Sequence, residues 1–325
     1  MKTIALAEGG PEVSALGFGC NNFGHNPFGN FVEYEWCERA VHAALDAGYT
    51  LFDTAEIYAH GESEEYLGRA LGSRRGEVLV ATKFGARSQR LGPMPGAPDA
   101  ALGSEAYVRW AIDASLRRLG TDYIDLYQMH MPDPTTPIAE TLGALKQLVA
   151  DGKVRYVGVG GFSAEQLDWT AAASHAGDLP YPVSMMTHHS LLTQLAGPDV
   201  VAACTRLGIR VHPFQTLEGG LLTGKFSRHN PPPAGSRFGP RVVDVGAELW
   251  DALDRLKAFA DSHGVSMVDL AIGGIAATPG VGVVIVGAST PEQVVANVKA
   301  REWTPTAAEL KELLELAATR TSRVV

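Results

Sequence analysis

Short runs of β-branched and apolar residues alternate along this chain with longer segments whose apolar positions recur every three to four residues. Leu16–Gly19, Thr50–Asp53, Glu77–Lys83, Ile124–Gln128, Val154–Gly160, Val183–His188, Ile209–Phe214 and Val281–Val286 have the length and composition of strands. Glu35–Ala47, Ser63–Leu71, Ser104–Leu119, Ile138–Ala150, Ala164–Ser174 and Asp199–Leu207 carry the helical period, and two more helices are predicted after Gly246. Within Ser104–Leu119, the positions Tyr107, Ala111, Ala114, Leu116 and Leu119 make one apolar stripe, which turns Arg117 and Arg118 outward; Ser104 is placed as the N-cap.

Eight strands, each followed by a helix, predict an α/β fold in which a parallel sheet closes as a (β/α)₈ barrel, one domain over residues 1–325. An open doubly wound sheet is the competitor, but Gly17-Phe18-Gly19-Cys20-Asn21-Asn22 lacks the third glycine of its phosphate-binding turn. Thr3–Leu6 and Glu12–Leu16 flank Glu8-Gly9-Gly10-Pro11, a hairpin suited to plug the barrel floor. The long segments Asn21–Tyr34, Ala86–Gly103 and Leu217–Gly246 follow strands, so they belong to the rim where barrel sites are built.

Composition narrows the classes. With 325 residues, 46% of them hydrophobic, a large core is within reach. A net charge of −9 provides no basic excess for a nucleic-acid partner. Apolar stretches such as Val281–Ala288 fall short of the ~20 residues that span a bilayer, and no secretory leader is visible, so no membrane association is expected. Cys20, Cys37 and Cys204 are odd in number and far apart, which suits a reducing, cytoplasmic setting. A homo-oligomer remains open.

Four polar residues fall at or just past strand ends: Asp53, Tyr58, Lys83 and His130. Barrel closure would bring them to one rim, where they suit proton delivery to a carbonyl oxygen. A phenol of pKa ~10 is a poor acid near neutrality, but a neighbouring ammonium stabilises its anion. Asp53 would hold Lys83 charged, and His130 would orient the carbonyl or share the proton. Each also has a plain structural alternative: Asp53 as a helix cap, Lys83 as a surface residue, His130 as a hydrogen-bonded rim histidine.

The segment Leu51-Phe52-Asp53-Thr54-Ala55-Glu56-Ile57-Tyr58, with Gly61-Glu62-Ser63-Glu64-Glu65-Tyr66-Leu67-Gly68 after it, resembles the signature of the aldo-keto reductases. So do Ala81-Thr82-Lys83, Ser115–Leu126, Gln128-Met129-His130 and Gly152–Val159; the resemblance runs from about Leu16 to Asn297. It implies a (β/α)₈ barrel with a Tyr58–Lys83–His130–Asp53 tetrad, a nicotinamide cofactor (NADPH) and a small-molecule carbonyl substrate. Hydride must come from such a cofactor, since no side chain donates it. The resemblance also implies a dinucleotide path along Cys20 and Asn21, then Phe214, Gln215, Leu217, Leu221 and Lys225. Arg237 and the C-terminal group Gly287, Ser289, Gln293 and Asn297 would grip the adenosine phosphate. Pro291 has a plain reading as the first residue of a helix.

The chain departs from the family at the nicotinamide end. The usual Ser-Asn-Phe after the fifth barrel strand is Gly160-Gly161-Phe162, and Met186 stands where a Gln usually bonds the carboxamide. Backbone amides of Gly160 and Gly161, or the hydroxyls of Thr187 or Thr216, are left to replace those contacts. Three functions follow: NADPH-dependent carbonyl reduction; non-redox dehydration, isomerisation or cyclisation with the same acid–base set; or a nucleotide-sensing partner resembling the potassium-channel beta subunits. Phe23, Phe28, Met131 and His188 are candidate substrate contacts, suggesting a moderately apolar aldehyde, ketone or sugar-like carbonyl. The scattered His130, His188 and His212 do not predict a metal site.

Overall fold

The computed structural model describes residues 1–25, 31–87, 92–193, 197–232, 247–288 and 290–317. A hairpin of β1 (Thr3–Ala5) and β2 (Glu12–Ser14) precedes β3 (Leu16–Gly19), the first barrel strand. A small pair, β4 (Gly24–His25) and β5 (Phe31–Val32), decorates the rim. The barrel then continues through β6 (Leu51–Asp53), β7 (Leu79–Phe84), β8 (Ile124–Met129), β9 (Val154–Gly160), β10 (Ser184–His188), β11 (Arg210–Phe214) and β12 (Val284–Val286).

These eight strands are parallel and lie in the order β11-β10-β9-β8-β7-β6-β3-β12. One parallel bridge closes the seam, Val211 opposite Val281, where the Val211 amide donates to Gly280 (3.0 Å) and the Gly282 amide to Val211 (2.7 Å). The eighth strand was expected from Val281 but becomes regular only at Val284. Within that stretch position 282 has room only for glycine, since an ideal Cβ there would lie 2.9 Å from both the His212 ring and Arg210 Cβ.

Alternation along the strands sorts the two faces. Leu51, Leu79, Ala81, Leu126, Val283 and Ile285 face inward and pack with Leu6 and Val13 of the hairpin, which plugs the floor as expected. Phe18, Phe52, Val80, Tyr127, Val157 and Met185 face outward against the helices. By the same parity Asp53, Lys83 and Phe214 belong to the inner face at the top of their strands.

The helices α1 (Tyr34–Asp46), α2 (Glu62–Leu71), α3 (Glu105–Leu119), α4 (Ile138–Ala150), α5 (Ala164–Gly177) and α6 (Pro198–Arg206) follow successive barrel strands; Ala247–His263 and Pro291–Ala300 are helical after the last two. Ser104 caps α3, its Oγ accepting from the Tyr107 amide at 3.3 Å. Arg118 corrects the expected outward face: it turns back to pair with Glu64 of α2 at 2.7 Å. Glu64 is fully buried, and a buried carboxylate needs a cation to offset its desolvation. Among the described residues, no helix is long and apolar enough to cross a membrane.

Candidate active site

Three strand ends assemble the polar centre. Lys83 Nζ, near the end of β7, donates to Asp53 Oδ1 at the end of β6 (2.7 Å), to the Thr54 carbonyl (2.6 Å) and to the Tyr58 hydroxyl (3.2 Å). Three acceptors satisfy all three ammonium protons. Lys83 is 1% exposed, so it is not the surface residue of the plain alternative. Nor is Asp53 a helix cap, since the N-cap of α2 is Gly61 and no side chain caps that helix.

Burial raises the pKa of Asp53, while the charge and hydrogen bond of Lys83, and a bond from Gln128, oppose the rise. Burial alone would depress Lys83, but Asp53 and Tyr58 outweigh it and hold the amine as an ammonium. By reciprocity, that ammonium stabilises the anion left when Tyr58 gives up its proton.

Tyr58 is aimed by a tight turn. Ala59 (φ 50°) and His60 (φ 53°) adopt the left-handed conformation, and Gly61 follows at φ 94°. Two non-glycine residues in that region store on the order of 1–2 kcal/mol each. A side chain at Gly61 would meet Arg118 Cδ at 2.4 Å, so the Arg118–Glu64 pair braces the turn from behind. The His130 ring meets the Tyr58 ring edge-on, with centroids 5.9 Å apart and an interplanar angle of 83°. The His130 amide donates to the Phe84 carbonyl (2.7 Å), fixing its backbone to the end of β7.

A second buried carboxyl supports this centre. Glu56 Oε1 accepts from the Gly85 amide (2.8 Å) and the Tyr107 hydroxyl (2.9 Å), and the Glu56 amide donates to the Lys83 carbonyl (3.1 Å). Burial pushes its pKa up to about 7 despite those two bonds. Nothing in the local sequence distinguishes Glu56 from a solvated neighbour of Tyr58.

A cavity of about 460 Å³ runs from Asp53 and Tyr58 to Asn297. Of the residues predicted to hold a dinucleotide, Asn21, Phe214, Gln215, Leu217, Lys225, Gly287, Gln293 and Asn297 line it. Thr223, within the Leu221–Lys225 segment expected to embrace the dinucleotide, lines it too, and Asn22 and Phe226 do so without having been anticipated. Thr216, foreseen only as a possible replacement contact, is in the wall as well. The loop after β11 turns through left-handed residues at Gln215 (φ 57°), Glu218 (φ 46°), Gly219 (φ 62°) and Gly220 (φ 104°). The loop is tied internally, the Glu218 amide donating to the Gln215 carbonyl (2.7 Å) and the Gly220 amide to the Leu217 carbonyl (2.8 Å). Lys225 brings an ammonium to the same wall.

The remaining expectations are corrected by packing. Cys20 is fully buried, its thiol directed to the Phe18 carbonyl at 3.7 Å, and it contributes no wall. Leu221 lies in a core cluster with Leu249, Leu253 and Leu256. Gly160, Gly161 and Met186 stand outside the cavity lining. Phe23 is 1% exposed and packs on Phe18 and Trp36, so it is core rather than substrate wall. His188 stacks against Phe214 (centroids 5.9 Å) and pairs with buried Glu218 at 3.0 Å, which fixes the β11 loop to β10 instead of facing a substrate. Ser190 and Thr193 complete the Glu218 shell. Met131 is exposed and outside the lining. Phe28, Arg237 and Ser289 lie outside the described residues. Pro291 is the first residue of its helix, as its plain reading held, with Thr290 as the N-cap accepting from the Gln293 amide. Among the described residues no three His, Cys, Asp or Glu side chains gather as a metal site.

Comparison with known proteins bears on this geometry. A model of the Aldo/keto reductase family matches residues 15–318. The chain is 32% identical over 310 residues to the Oryza sativa protein named "Probable voltage-gated potassium channel subunit beta", covering 92% of this chain and 91% of that protein. It is equally 32% identical, over 327 residues, to Aldo-keto reductase YhdN of Bacillus subtilis, covering 96% and 92% respectively. The glycerol dehydrogenase AKR11B4 from Gluconobacter oxydans superposes with a TM-score of 0.79 at 28% identity, covering 95% of this chain and 92% of that one.

Proposed function

Because this chain belongs to the aldo/keto reductase family, we propose that it is an NADP(H)-dependent oxidoreductase interconverting a carbonyl and an alcohol, with Tyr58 as proton donor. The observation that carries the proposal is the Lys83 ammonium, 1% exposed, 3.2 Å from the Tyr58 hydroxyl at one end of the cavity.

The residues present fit a nicotinamide dinucleotide. The cavity has the volume of a small-molecule site. Phe214 offers a ring to the cavity, and Lys225 offers a cation for phosphates. Gln293 and Asn297 line the far end, where the adenosine half would rest.

When bound, the dinucleotide would supply or accept hydride at the carbonyl carbon. The chain's own task is the proton. In reduction, Tyr58 releases its hydroxyl proton to the carbonyl oxygen, and the phenolate that remains is stabilised by Lys83. Asp53 keeps Lys83 charged and fixed, and the left-handed turn at Ala59 and His60 holds Tyr58 over the cavity mouth. His130, edge-on to Tyr58, presents a second polar ring to the carbonyl oxygen. In oxidation of an alcohol the same groups run in reverse.

The likeness to a protein named glycerol dehydrogenase favours small hydroxyaldehydes and polyols in the first substrate panel, beside apolar aldehydes and ketones. Saturating NADPH should be consumed in a carbonyl-dependent way by at least one of them. Reaction of a substrate by protein stripped of nucleotide would favour the non-redox alternative. The likeness to a channel beta subunit supports a second reading, nucleotide sensing within an assembly. Tight NADPH binding without turnover across the panel would select it. Three free, buried cysteines support a reducing, cytoplasmic setting.

A further inference from the structure

Behind the polar centre, the barrel interior carries two more polar side chains that the proton chemistry above leaves unused. Gln128 of β8 is 1% exposed and Ser184 of β10 is fully buried. On β8, Leu126 packs in the floor cluster and Tyr127 faces the helices, so alternation turns Gln128 inward. Met185 faces outward on β10, which turns Ser184 inward as well. Strand register sets both level with the centre. Gln128 pairs with Lys83 of β7 on one side and with Gly158 of β9 on the other, and Gly158 pairs with Ser184.

Gly158 is what lets the two side chains meet. An ideal Cβ there would lie 2.6 Å from Ser184 Oγ and 3.0 Å from Gln128 Cγ. Gly160 of the same strand is likewise a spacer, since a Cβ there would lie 2.5 Å from the His130 carbonyl oxygen. Through the gap at Gly158, Ser184 Oγ donates to Gln128 Oε1 (3.4 Å). With its oxygen so engaged, the Gln128 amide nitrogen is the group that bonds Asp53, whose carboxylate only accepts. The carboxylate is thus held from two strands, by Lys83 of β7 and by Gln128 of β8. A buried amide and hydroxyl are costly unless paired. Two residues earlier on β7 and β8, Ala81 and Leu126 fill the same face with apolar groups, so packing does not call for polar ones.

We propose that Gln128, braced by Ser184, is a positioning residue that holds the Asp53 carboxylate against Lys83 and so keeps the ammonium aimed at Tyr58. The assignment rests on the reading of Tyr58 as proton donor. Gln128 and Ser184 stand outside the cavity lining, so they act through Asp53 and not on a bound molecule. A hydrogen bond donated to the charged form of Asp53 favours that form. The ionisable neighbours coupled to Asp53 are the Lys83 ammonium and the Cys20 thiol, which burial holds protonated, with Tyr58 beyond Lys83.

The test compares wild type with Gln128→Met, close in volume but without the donor, and with Ser184→Ala, which adds no bulk and breaks only the neutral bond. Ligand-free proteins would be unfolded in urea at pH 5 and pH 8. Without the Gln128 bond the folded pKa of Asp53 rises while the unfolded one does not, so the variant loses stability relative to wild type as pH rises. Gln128→Met should therefore have its urea midpoint lowered more at pH 8 than at pH 5, whereas lost packing alone would lower both equally. With NADPH and a carbonyl that wild type reduces, its kcat should fall about 10- to 100-fold, the equivalent of one hydrogen bond to a charged group. The acid limb of its pH profile should move upward and its NADPH Kd stay within about twofold of wild type. Ser184→Ala should change in the same directions, with kcat about 2- to 5-fold lower, and carries the test if Gln128→Met does not fold. Midpoints lowered equally at the two pH values, or an unchanged kcat and pH profile in the variants while Tyr58→Phe is inactive, would overturn the assignment alone. Tyr58→Phe turning over as fast as wild type would instead sink the proton-donor reading, and the Gln128 assignment with it.

Discussion

Replacing Lys83 with methionine probes the centre most sharply, because it removes one charge from a buried pair and nearly preserves the volume. The 2.7 Å Lys83–Asp53 contact sits where the two side chains are 1% and 4% exposed. Deleting one partner of such a pair costs about 3–5 kcal/mol, because the other charge stays buried and uncompensated. That is a large share of the ~5–15 kcal/mol by which folded domains are stable. Asp53 would keep only the Gln128 hydrogen bond. The double change Lys83→Met with Asp53→Asn removes both charges and should recover about 2–4 kcal/mol of the loss.

The pH dependence has a definite sign. Burial already raises Asp53, and without Lys83 the main opposition is gone. An acid whose folded pKa lies above its unfolded one binds protons better when folded, so stability falls as pH rises between the two values. Lys83→Met should be least destabilised near the ordinary carboxylate pKa of ~4 and lose up to ~1.4 kcal/mol per pH unit above it. The double variant should show no such slope beyond that of wild type. Equilibrium urea unfolding followed by tryptophan fluorescence at several pH values would measure both. A Lys83→Met protein within about 1 kcal/mol of wild type at pH 8, or a double variant whose losses simply add, would refute the buried-pair reasoning.

Two other changes test neighbouring features. Glu56, raised from 4.5 to about 7 by burial, is a group whose ionisation opposes folding, so stability should decline as pH climbs through that span. At 1.36 kcal/mol per pKa unit the decline is ~3 kcal/mol; Glu56→Gln should remove it, shrinking the difference in unfolding free energy between pH 4.5 and 8 by about that much, as denaturant titrations at the two pH values would show. Gly160→Ala forces a Cβ onto the His130 carbonyl and should cost at least ~2 kcal/mol and lower turnover. Gly161→Asn, at φ 66° with only Met131 Sδ nearby (3.6 Å), should cost under ~1 kcal/mol; unfolding curves and kcat for the pair would show the contrast.

Local patterning made the barrel legible. Strand-length apolar runs separated by helical periods placed all eight barrel strands, and the rule that parallel strand ends converge brought Asp53, Lys83 and His130 together before any coordinates. The misplacements share a physical origin, contact with residues far away in sequence. Arg118 turned inward because Glu64 lies buried on the neighbouring helix. Phe23 and Cys20 went to the core because α1 and β6 close over them. His188 was taken from the substrate by Glu218, a carboxylate thirty residues on whose left-handed backbone no local motif announces. The spacer role of Gly160 depends on the carbonyl of residue 130 across a strand pair, which alternation and propensity cannot show.

The most direct test of the central claim is isotopic transfer from NADPH deuterated at the nicotinamide C4 position to a carbonyl substrate, read by mass spectrometry, in wild type and Tyr58→Phe. The account predicts deuterium on the carbinol carbon with wild type, and with Tyr58→Phe an unchanged NADPH Kd but transfer slower by about 10²–10⁴-fold. Wild type saturated with NADPH yet transferring no deuterium to any carbonyl in the panel, or Tyr58→Phe transferring it at the wild-type rate, would contradict the account.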